Sequence, residues 1–268
     1  MQEYLTALGT GYAIATKCYT TCFTLSDGQE HFMIDTGGGN GVLTNLEKLN
    51  IDVSQVHHIF ISHKHTDHVI GIVWLIRMIG HQMQRGSYTD KLHIYCHQTI
   101  AEGILDMCKF MLPGRLLPLF GERIIFNCLS NGLTYNILGR ETTFFDTGSS
   151  KDLQYGFVTT LHNGKKLTFL GDEPYRECSY GYAHGVDYLM HEALCLESEE
   201  ALYHPHQIAH STVKDACEIA SNLDVATVIL HHTEDNILAE RKARYTAEAK
   251  EYFNRQIYVP DDLDVIEL

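Results

Sequence analysis

Short apolar runs bounded by turn-forming residues recur along most of the chain, which is the pattern of β-strands joined by tight loops. The runs that predict strands are residues 3–8, 22–25, 31–34, 56–61, 92–95, 142–145, 156–160, 167–170, 188–190 and 226–230. The segments with apolar residues at helical spacing are residues 42–49, 68–81, 99–110, 211–222 and 237–253. Because helices are interspersed with strands, the pattern predicts sheets covered by helices, an α/β architecture.

Residues 81–140 carry the weakest pattern. A strand and a helix are predicted over residues 90–111, whereas residues 112–119, with two prolines and Arg115, fit a loop that faces the substrate. Trp74, the only tryptophan, falls on the helix predicted for residues 68–81, where a large aromatic side chain usually belongs to the core. We therefore expect Trp74 to be buried.

The chain has 268 residues, of which 44% are hydrophobic and 20% are charged, and this is the composition of a folded globular protein. No linker-like tract or internal repeat divides it, so we predict a single domain over residues 1–268. Its longest apolar run, residues 69–76, is much shorter than the about 20 residues that a membrane span needs. The N-terminus, Met1 to Leu5, has no basic leader or long apolar run, which predicts a cytoplasmic location without a membrane partner.

The charge and the histidine content point toward metal and away from long nucleic acids. The formal net charge is −14, which disfavours a broad phosphate-binding surface. Bound cations would offset part of this charge, and 17 histidines are a high share. The eight cysteines form no Cys-x-x-Cys pair, so we interpret them as reduced structural thiols.

Residues 59–71 hold the strongest motif, a strand that runs through the sequence His-Lys-His-Thr-Asp-His into a helix. His63 and His65 stand two residues apart in extended backbone, so their side chains point the same way and can bind one metal ion. Asp67 and His68 open the helix and can turn toward a second ion. The spacing therefore predicts a metal site.

One loop cannot supply all the ligands of two ions, so further donors are expected at other strand ends. Asp172 follows a glycine at the end of an apolar strand, where its carboxylate could bridge two cations. His231 and His232 end another strand. Each of these signals is weak alone, because such residues are usually turn or solvated residues, but the histidine motif strengthens both.

These motifs resemble the metallo-β-lactamase superfamily over nearly the whole chain. The opening strands with Gly9, Gly11 and the Asp35-Thr-Gly-Gly-Gly segment match that fold, whose form is a four-layer αβ/βα sandwich of two mixed sheets covered by helices. Within the superfamily, His191-Glu192-Ala193 and His210-Ser211-Thr212 resemble motifs of the ribonuclease Z and phosphodiesterase branch. The resemblance implies a metal-dependent hydrolase.

The resemblance also implies the metal ligands. His63 and His65 would bind one ion, Asp172 would bridge, and the other ion would be bound by Asp67, His68 and His232, with family register favouring His232 over His231. The family takes a third histidine for the first ion from the loop before residue 156, and here the loop of residues 145–151 has none. The vacancy falls near Gly148. Asp146 or a water held by Ser149 could fill it. We therefore expect two divalent ions, zinc or, with fewer nitrogen donors, manganese, and a weak first site. A mononuclear enzyme stays open.

The catalytic roles come from the same resemblance. Metal ions would generate a hydroxide at neutral pH, and this hydroxide would attack a phosphodiester. Asp67 would orient or deprotonate the water. His210 would contact the scissile phosphate and assist the leaving group, and Glu192 would tune the protonation of His210.

Ribonuclease Z enzymes grip transfer RNA with a long arm, and many insert it between the third-histidine loop and the bridging aspartate. Only fifteen residues separate Gly156 from Asp172 here, so no such arm fits. We therefore favour a small phosphodiester, cyclic nucleotide or short nucleotide fragment as substrate. The alternatives are a lactonase or thioesterase on the same fold, a transfer RNA 3′ processing endoribonuclease, and a non-catalytic metal or nucleotide sensor. Related enzymes are often dimers, which is compatible with a homodimer.

Overall fold

The computed structural model describes residues 2–268. Met1, which begins the N-terminal segment predicted to lack a leader, lies outside the described residues. The strands are β1 (Tyr4–Gly9), β2 (Cys22–Ser26), β3 (His31–Ile34), β4 (Val56–Phe60), β5 (Leu92–Cys96), β6 (Ile124–Cys128), β7 (Thr134–Ile137), β8 (Arg140–Asp146), β9 (Tyr155–Thr160), β10 (Lys166–Phe169), β11 (Tyr188–Glu192), β12 (Thr227–His231), β13 (Gln256–Tyr258) and β14 (Val265–Glu267). The α-helices are α1 (Gly41–Lys48), α2 (Thr66–Val69), α3 (Gly71–Arg85), α4 (Gln98–Met111), α5 (Tyr180–Ala183), α6 (Glu200–Tyr203), α7 (Val213–Asn222) and α8 (Leu238–Tyr252).

The chain divides into two compact units. The first contains the described residues up to Gly9, together with 21–129 and 263–268, and the second contains residues 10–20 and 130–262. The expectation of a single domain over residues 1–268 stays a prediction.

The first unit is built on a seven-stranded mixed sheet in the order β14-β1-β2-β3-β4-β5-β6. Strands β1, β2, β3 and β14 pair antiparallel, whereas β3 to β6 pair in parallel. The carboxyl ends of parallel strands meet at one edge of a sheet. Asp35, directly after β3, and the His63–His68 segment, after β4, therefore lie at the same edge.

The second unit repeats this plan with a sheet in the order β13-β12-β11-β10-β9-β8-β7. Strands β10 to β13 are parallel and β7 to β10 are antiparallel. Asp172, Glu192 and His232 come at or after the ends of the adjacent parallel strands β10, β11 and β12, so one edge of this sheet collects them. Behind the sheet, apolar residues of α7, α8 and the central strands form a buried core.

The predicted α/β class with two mixed sheets is confirmed, and each predicted strand and helix has a counterpart. Strands β6, β7, β13 and β14 were not predicted. Their burial alternates or is partial, and the edge strands β13 and β14 have only three residues, so they carry little apolar signal.

Two local expectations need correction. Residues 112–119, expected as a loop, contain a 3₁₀ turn over Gly114–Leu119 whose Leu116 is buried. Trp74, expected in the core, is 42% exposed. The reason is its place on α3, because the buried stripe of this helix runs through Ile72, Leu75, Ile76 and Ile79, and Trp74 lies beside that stripe with the exposed Met78 one turn on.

No helix within residues 2–268 is both long enough and apolar enough to cross a membrane.

Candidate metal centre

The histidine motif of the first unit lies in the short connection between β4 and α2. His65 has an extended backbone and is the residue just before α2, so Asp67 and His68 fall in the first turn of the helix. His63, Asp67 and His68 are buried and His65 is partly exposed. The His63 ring lies 4.4 Å from the His65 ring and 4.2 Å from the His68 ring, measured between centroids. The structure therefore brings the three imidazoles of the motif together.

Asp35, which is fully buried, holds this loop. Its carboxylate accepts hydrogen bonds from the Ser62 amide at 2.8 Å and the Ser62 hydroxyl at 2.7 Å, and its Oδ2 lies 2.7 Å from Nδ1 of His68. Because the Ser62 hydroxyl donates to Asp35, it accepts from Nδ1 of His63 at 3.0 Å. In this hydrogen-bond network both imidazoles carry a proton on Nδ1. Nε2 is then the lone-pair atom of each ring, the arrangement that carboxylate–histidine pairs create around metals.

Asp67 and His68 fit a shared cation. Nε2 of His68 lies 3.0 Å from Oδ2 of Asp67. Because the proton of His68 is on Nδ1 and points at Asp35, Nε2 carries a lone pair. The carboxylate oxygen of Asp67 carries lone pairs too, so the two atoms repel each other unless a positive charge lies between them. Such a pair is favourable when a cation lies between the two atoms. The donor set of the loop therefore fits a divalent metal ion.

The second unit carries the other candidate ligands. Asp172 follows Gly171, whose φ of +83° belongs to the left-handed region that favours glycine. The side-chain amide of the buried Gln154 donates to Oδ1 of Asp172, and the other carboxylate oxygen lies 3.5 Å from Nε2 of His232. His232 also has a positive φ, of +55°, which turns it out of β12.

The two histidines at the end of β12 have different surroundings. The His231 ring is fully buried and stacks on Phe169 with centroids 5.3 Å apart. The His232 ring faces Asp172 and stacks on His210 at 5.0 Å. This geometry supports His232 over His231 as the ligand.

His210 and Glu192 form a pair next to His232. One carboxylate oxygen of Glu192 accepts from the Ser211 amide at 2.5 Å, and the other lies 3.5 Å from Nδ1 of His210. Glu192, His210 and His232 each present a ligand-type atom within 4.8 Å of the others. Burial lowers the pKa of His210, but the adjacent carboxylate of Glu192 outweighs burial, so the pKa is raised above its ordinary value.

The loop near Gly148, where the sequence lacks the histidine that the resemblance predicts, has a constrained backbone. Gly148 has a φ of +71°, and a Cβ at this position would lie 2.7 Å from Sγ of Cys178. The amide of Gly148 is bound by the carboxylate of Asp146 at 2.8 Å, and the Ser149 hydroxyl donates to Glu173 at 2.5 Å. The positive φ and the close approach of Cys178 both favour glycine at position 148.

Sequence reasoning missed Lys151 and Glu173. The ammonium group of Lys151 lies 3.1 Å from Nε2 of His210, and Glu173 is a buried carboxylate directly after Asp172. A lysine in a polar loop resembles any solvated lysine. The histidine vacancy three residues before it was the signal that could have drawn attention to this segment.

Comparison with known proteins gives one family and a consistent set of relatives. Residues 3–253 match the family described as "Anti-Pycsar protein Apyc1". Ribonuclease Z of Macrococcus caseolyticus is 23% identical over 301 aligned positions, covering 95% of this chain and 96% of that protein.

Solved structures extend the likeness to the fold. The metallo-β-lactamase fold protein YhfI from Bacillus subtilis superimposes with a TM-score of 0.81 at 16% identity and full coverage of both chains. The short form of human tRNase Z gives a TM-score of 0.74 at 19% identity over 98% of each chain. At these identities the superpositions show the fold.

Proposed function

Since the chain belongs to the family of the anti-Pycsar protein Apyc1 and is a metallo-β-lactamase fold hydrolase of the ribonuclease Z and phosphodiesterase branch, we propose that it is a metal-dependent phosphodiesterase acting on a small phosphodiester, such as a cyclic nucleotide. The chain carries histidine and aspartate side chains that form a candidate metal site. The superfamily assignment made from the sequence is confirmed.

We propose that two divalent ions, zinc or manganese, are bound by six side chains. His63 and His65 would hold one ion, Asp67, His68 and His232 the other, and Asp172 would bridge. Support comes from the buried Asp35, which fixes His68 directly and His63 through Ser62, so that Nε2 of each ring would be the atom available to a metal ion. When bound, the ions would lower the pKa of a water molecule toward neutrality.

The protein groups would then act on the water and on the phosphate. Asp67, held near His68, would accept a proton from the attacking water. His210 would donate to the scissile phosphate or to the leaving oxygen. Glu192 supports this role because it lies against Nδ1 of His210 and keeps the pKa of that ring raised, which favours the proton-donating form.

The observation that carries the phosphodiesterase assignment is the Glu192–His210 pair beside His232. Hydrolysis of a lactone or thioester by an activated water needs stabilisation of one oxyanion. A phosphodiester differs because it already carries a negative charge, shared by its two non-bridging oxygens, before the water attacks. A buried imidazole with a raised pKa can bind that charge and donate a proton to the leaving oxygen.

The hairpin between β9 and β10 supports a small substrate. Only residues 161–165 connect these strands, and they close in a tight turn with Leu161 bonded to Lys165. No protruding arm is present in this connection. The charge of −14 adds an unfavourable field for a long polyanion.

The decisive experiment compares substrates on the chain loaded with zinc or with manganese. The panel contains bis(p-nitrophenyl) phosphate, the 3′,5′-cyclic monophosphates of the four common nucleosides, a precursor transfer RNA, a lactone and a thioester. We expect turnover of the small phosphodiesters and none of the carbonyl substrates. Lactone or thioester hydrolysis with inert phosphodiesters would overturn the proposal in favour of the second candidate.

If precursor transfer RNA is cleaved at its 3′ side faster than any small phosphodiester is hydrolysed, the endoribonuclease alternative replaces the proposal. The relatives named ribonuclease Z make this the outcome to exclude. The sensor hypothesis has its own test. His65→Ala and Asp172→Asn should abolish hydrolysis, whereas a sensor would show no hydrolysis in the unaltered chain. The homodimer and the cytoplasmic location stay predictions from the sequence.

A further inference from the structure

Lys151 is the cation of the second unit that lies against the proposed phosphate-contacting histidine. Its ammonium nitrogen is 3.1 Å from Nε2 of His210, the ring nitrogen opposite the one that faces Glu192. A lysine ammonium has three hydrogens and no acceptor. When Nε2 is unprotonated, the ammonium donates one hydrogen to it and keeps two for another acceptor. When Nε2 is protonated, as proton donation to the phosphate requires, the ring and the ammonium are both donors, and an anion that accepts from both favours their close approach.

The loop that carries Lys151 is fixed by a buried carboxylate. Glu173 accepts from the Ser149 hydroxyl at 2.5 Å, and its other oxygen accepts from the Ser150 amide at 3.0 Å and the Ser150 hydroxyl at 3.4 Å. The Ser149 oxygen in turn accepts from the amides of Lys151 and Asp152, both at 3.2 Å. Ser149 and Ser150 thus bind one carboxylate directly, and the Lys151 amide is linked to it through the Ser149 oxygen.

This anchor orders the loop backbone from which the exposed side chain of Lys151 reaches His210. Glu173 is only 4% exposed, and burying a carboxylate is unfavourable unless several donors satisfy it. The donors come from the loop of Lys151. The buried carboxylate is therefore stable only while this loop keeps its conformation, and the loop is ordered as a result. An ordinary surface lysine needs no such support, because its side chain is usually mobile and solvated.

We propose that Lys151 is a substrate-binding residue that donates to a non-bridging oxygen of the phosphodiester held by His210. This inference rests on the proposed function. An anion beside Nε2 of His210 is within reach of both donors, and two charge-assisted hydrogen bonds to one phosphate are stronger than either alone. Where the family places a metal-binding histidine in this loop, the present chain would place a cation that binds the substrate directly.

The test uses Lys151→Ala and Lys151→Arg, with Lys109→Ala as the control for an exposed lysine that pairs with Asp106. Steady-state kinetics on bis(p-nitrophenyl) phosphate give kcat and KM. Calorimetry with inorganic phosphate gives a Kd that does not depend on turnover, and elemental analysis gives the metal content of each variant.

We expect Lys151→Ala to raise KM and the phosphate Kd by about 10- to 100-fold, the loss of one charge-assisted hydrogen bond, with the metal content unchanged. Lys151→Arg should recover part of the affinity, and Lys109→Ala should match the unaltered chain. An unchanged KM and phosphate Kd in Lys151→Ala would overturn the inference, and so would loss of metal from that variant, which would make the loop a support of the metal site.

The anchoring argument is tested by a double-mutant cycle. Ser149→Ala removes the donor to Glu173 and the acceptor for the Lys151 amide, so it should raise the phosphate Kd, and the effect should largely disappear in the Lys151→Ala background. Additive effects would show that Ser149 acts independently of Lys151. If the unaltered chain hydrolyses no phosphodiester, the proposed function fails, while the phosphate Kd values still decide the role of Lys151.

Discussion

Two loops of the molecule use the same anchor for different ends. In the first unit, buried Asp35 accepts from the amide and hydroxyl of Ser62 and holds the histidine motif. In the second unit, buried Glu173 accepts from the Ser149 hydroxyl and the Ser150 amide and holds the loop that lacks a histidine. A carboxylate with two or more donors tolerates burial and fixes a loop whose backbone makes few regular hydrogen bonds.

The difference lies in what each anchor presents. Asp35 also contacts His68, so it fixes both the position and the tautomer of an imidazole. Glu173 instead binds the two serines of its own loop, and that loop presents the ammonium of Lys151 toward His210. One anchor therefore orients imidazole nitrogens of the proposed metal site, and the other positions a positive charge beside His210.

The largest expected effect comes from removing a nitrogen donor of the first loop. His63→Ala should lower the rate with bis(p-nitrophenyl) phosphate by about 10³-fold or more, since a metal ion contributes several kcal/mol to the transition state. Metal content should fall in the same variant. His57→Ala is the matched control, because His57 lies on β4 and its ring contacts Tyr88. A His63→Ala variant that keeps its metal and rate would remove the loop from the site.

The next largest effect tests the first anchor. Asp35→Asn keeps the size of the side chain but places an amide where Ser62 and His68 both donate. We expect metal affinity to fall by about 10- to 100-fold, the usual cost of changing a group that orients a ligand. Equilibrium competition with a metal indicator measures this. Asp52→Asn, at an exposed cap that accepts from the Ser54 amide, should leave metal affinity unchanged, and an equal loss in both variants would contradict the argument.

These two loops show which features of the site could be predicted from the sequence. The apolar runs located β10, β11 and β12, and so they placed Asp172 and His232 at strand ends. Glu192 was found only through the family resemblance, because the predicted strand ended at residue 190, whereas β11 extends to Glu192. The role of Glu173 was not accessible, because a carboxylate next to Asp172 gives no pattern and its donors lie more than twenty positions away. The exposure of Trp74 was missed because residue type, rather than its angle on α3, guided the expectation.

The next substitution concerns whether the loop near Gly148 can accept a larger residue. Gly148→Ala introduces a Cβ at a φ of +71° and 2.7 Å from Sγ of Cys178. We expect the free energy of unfolding to fall by about 1–3 kcal/mol, the cost of backbone strain with overlap. Urea denaturation measures this change. Gly164→Ala is the matched control, because its φ of +85° has open space around it.

The comparison of the two glycines separates strain from overlap. Gly164→Ala should cost less than Gly148→Ala, and Cys178→Ala should recover part of the loss at position 148. Gly148→His should be at least as destabilised as Gly148→Ala and should bind no additional metal. A stable Gly148→His variant with higher metal affinity would show that the loop can hold a metal-binding histidine at position 148.

The smallest effect belongs to a loop held by an exposed ion pair. His206, in the turn Pro205–Ile208, lies 2.7 Å from the carboxylate of Asp215 and 3.1 Å from that of Glu200. The hydrogen bond with Asp215 raises the pKa of His206 above its ordinary 6.5. Burial opposes a lowered pKa for Asp215, but its bonds from Thr212 and His206 outweigh burial and hold that pKa below 3.8.

The signs fix the pH window of this pair. A raised histidine pKa stabilises the fold fully below pH 6.5, and the contribution is lost as pH rises through the folded value. A lowered aspartate pKa stabilises above pH 3.8 and is lost as pH falls below it. The pair therefore stabilises the fold most between pH 3.8 and pH 6.5.

Urea unfolding of the unaltered chain and of His206→Gln at pH 5.5 and pH 8 tests this. The free energy of unfolding should differ between the two proteins at pH 5.5, and the difference should be smaller at pH 8. Solvent screening keeps that difference small, because half of the His206 side chain is exposed. A difference that grows between pH 5.5 and pH 8 would mean that His206 acts in its neutral form, and the contrast between buried anchors and exposed pairs would then need another cause.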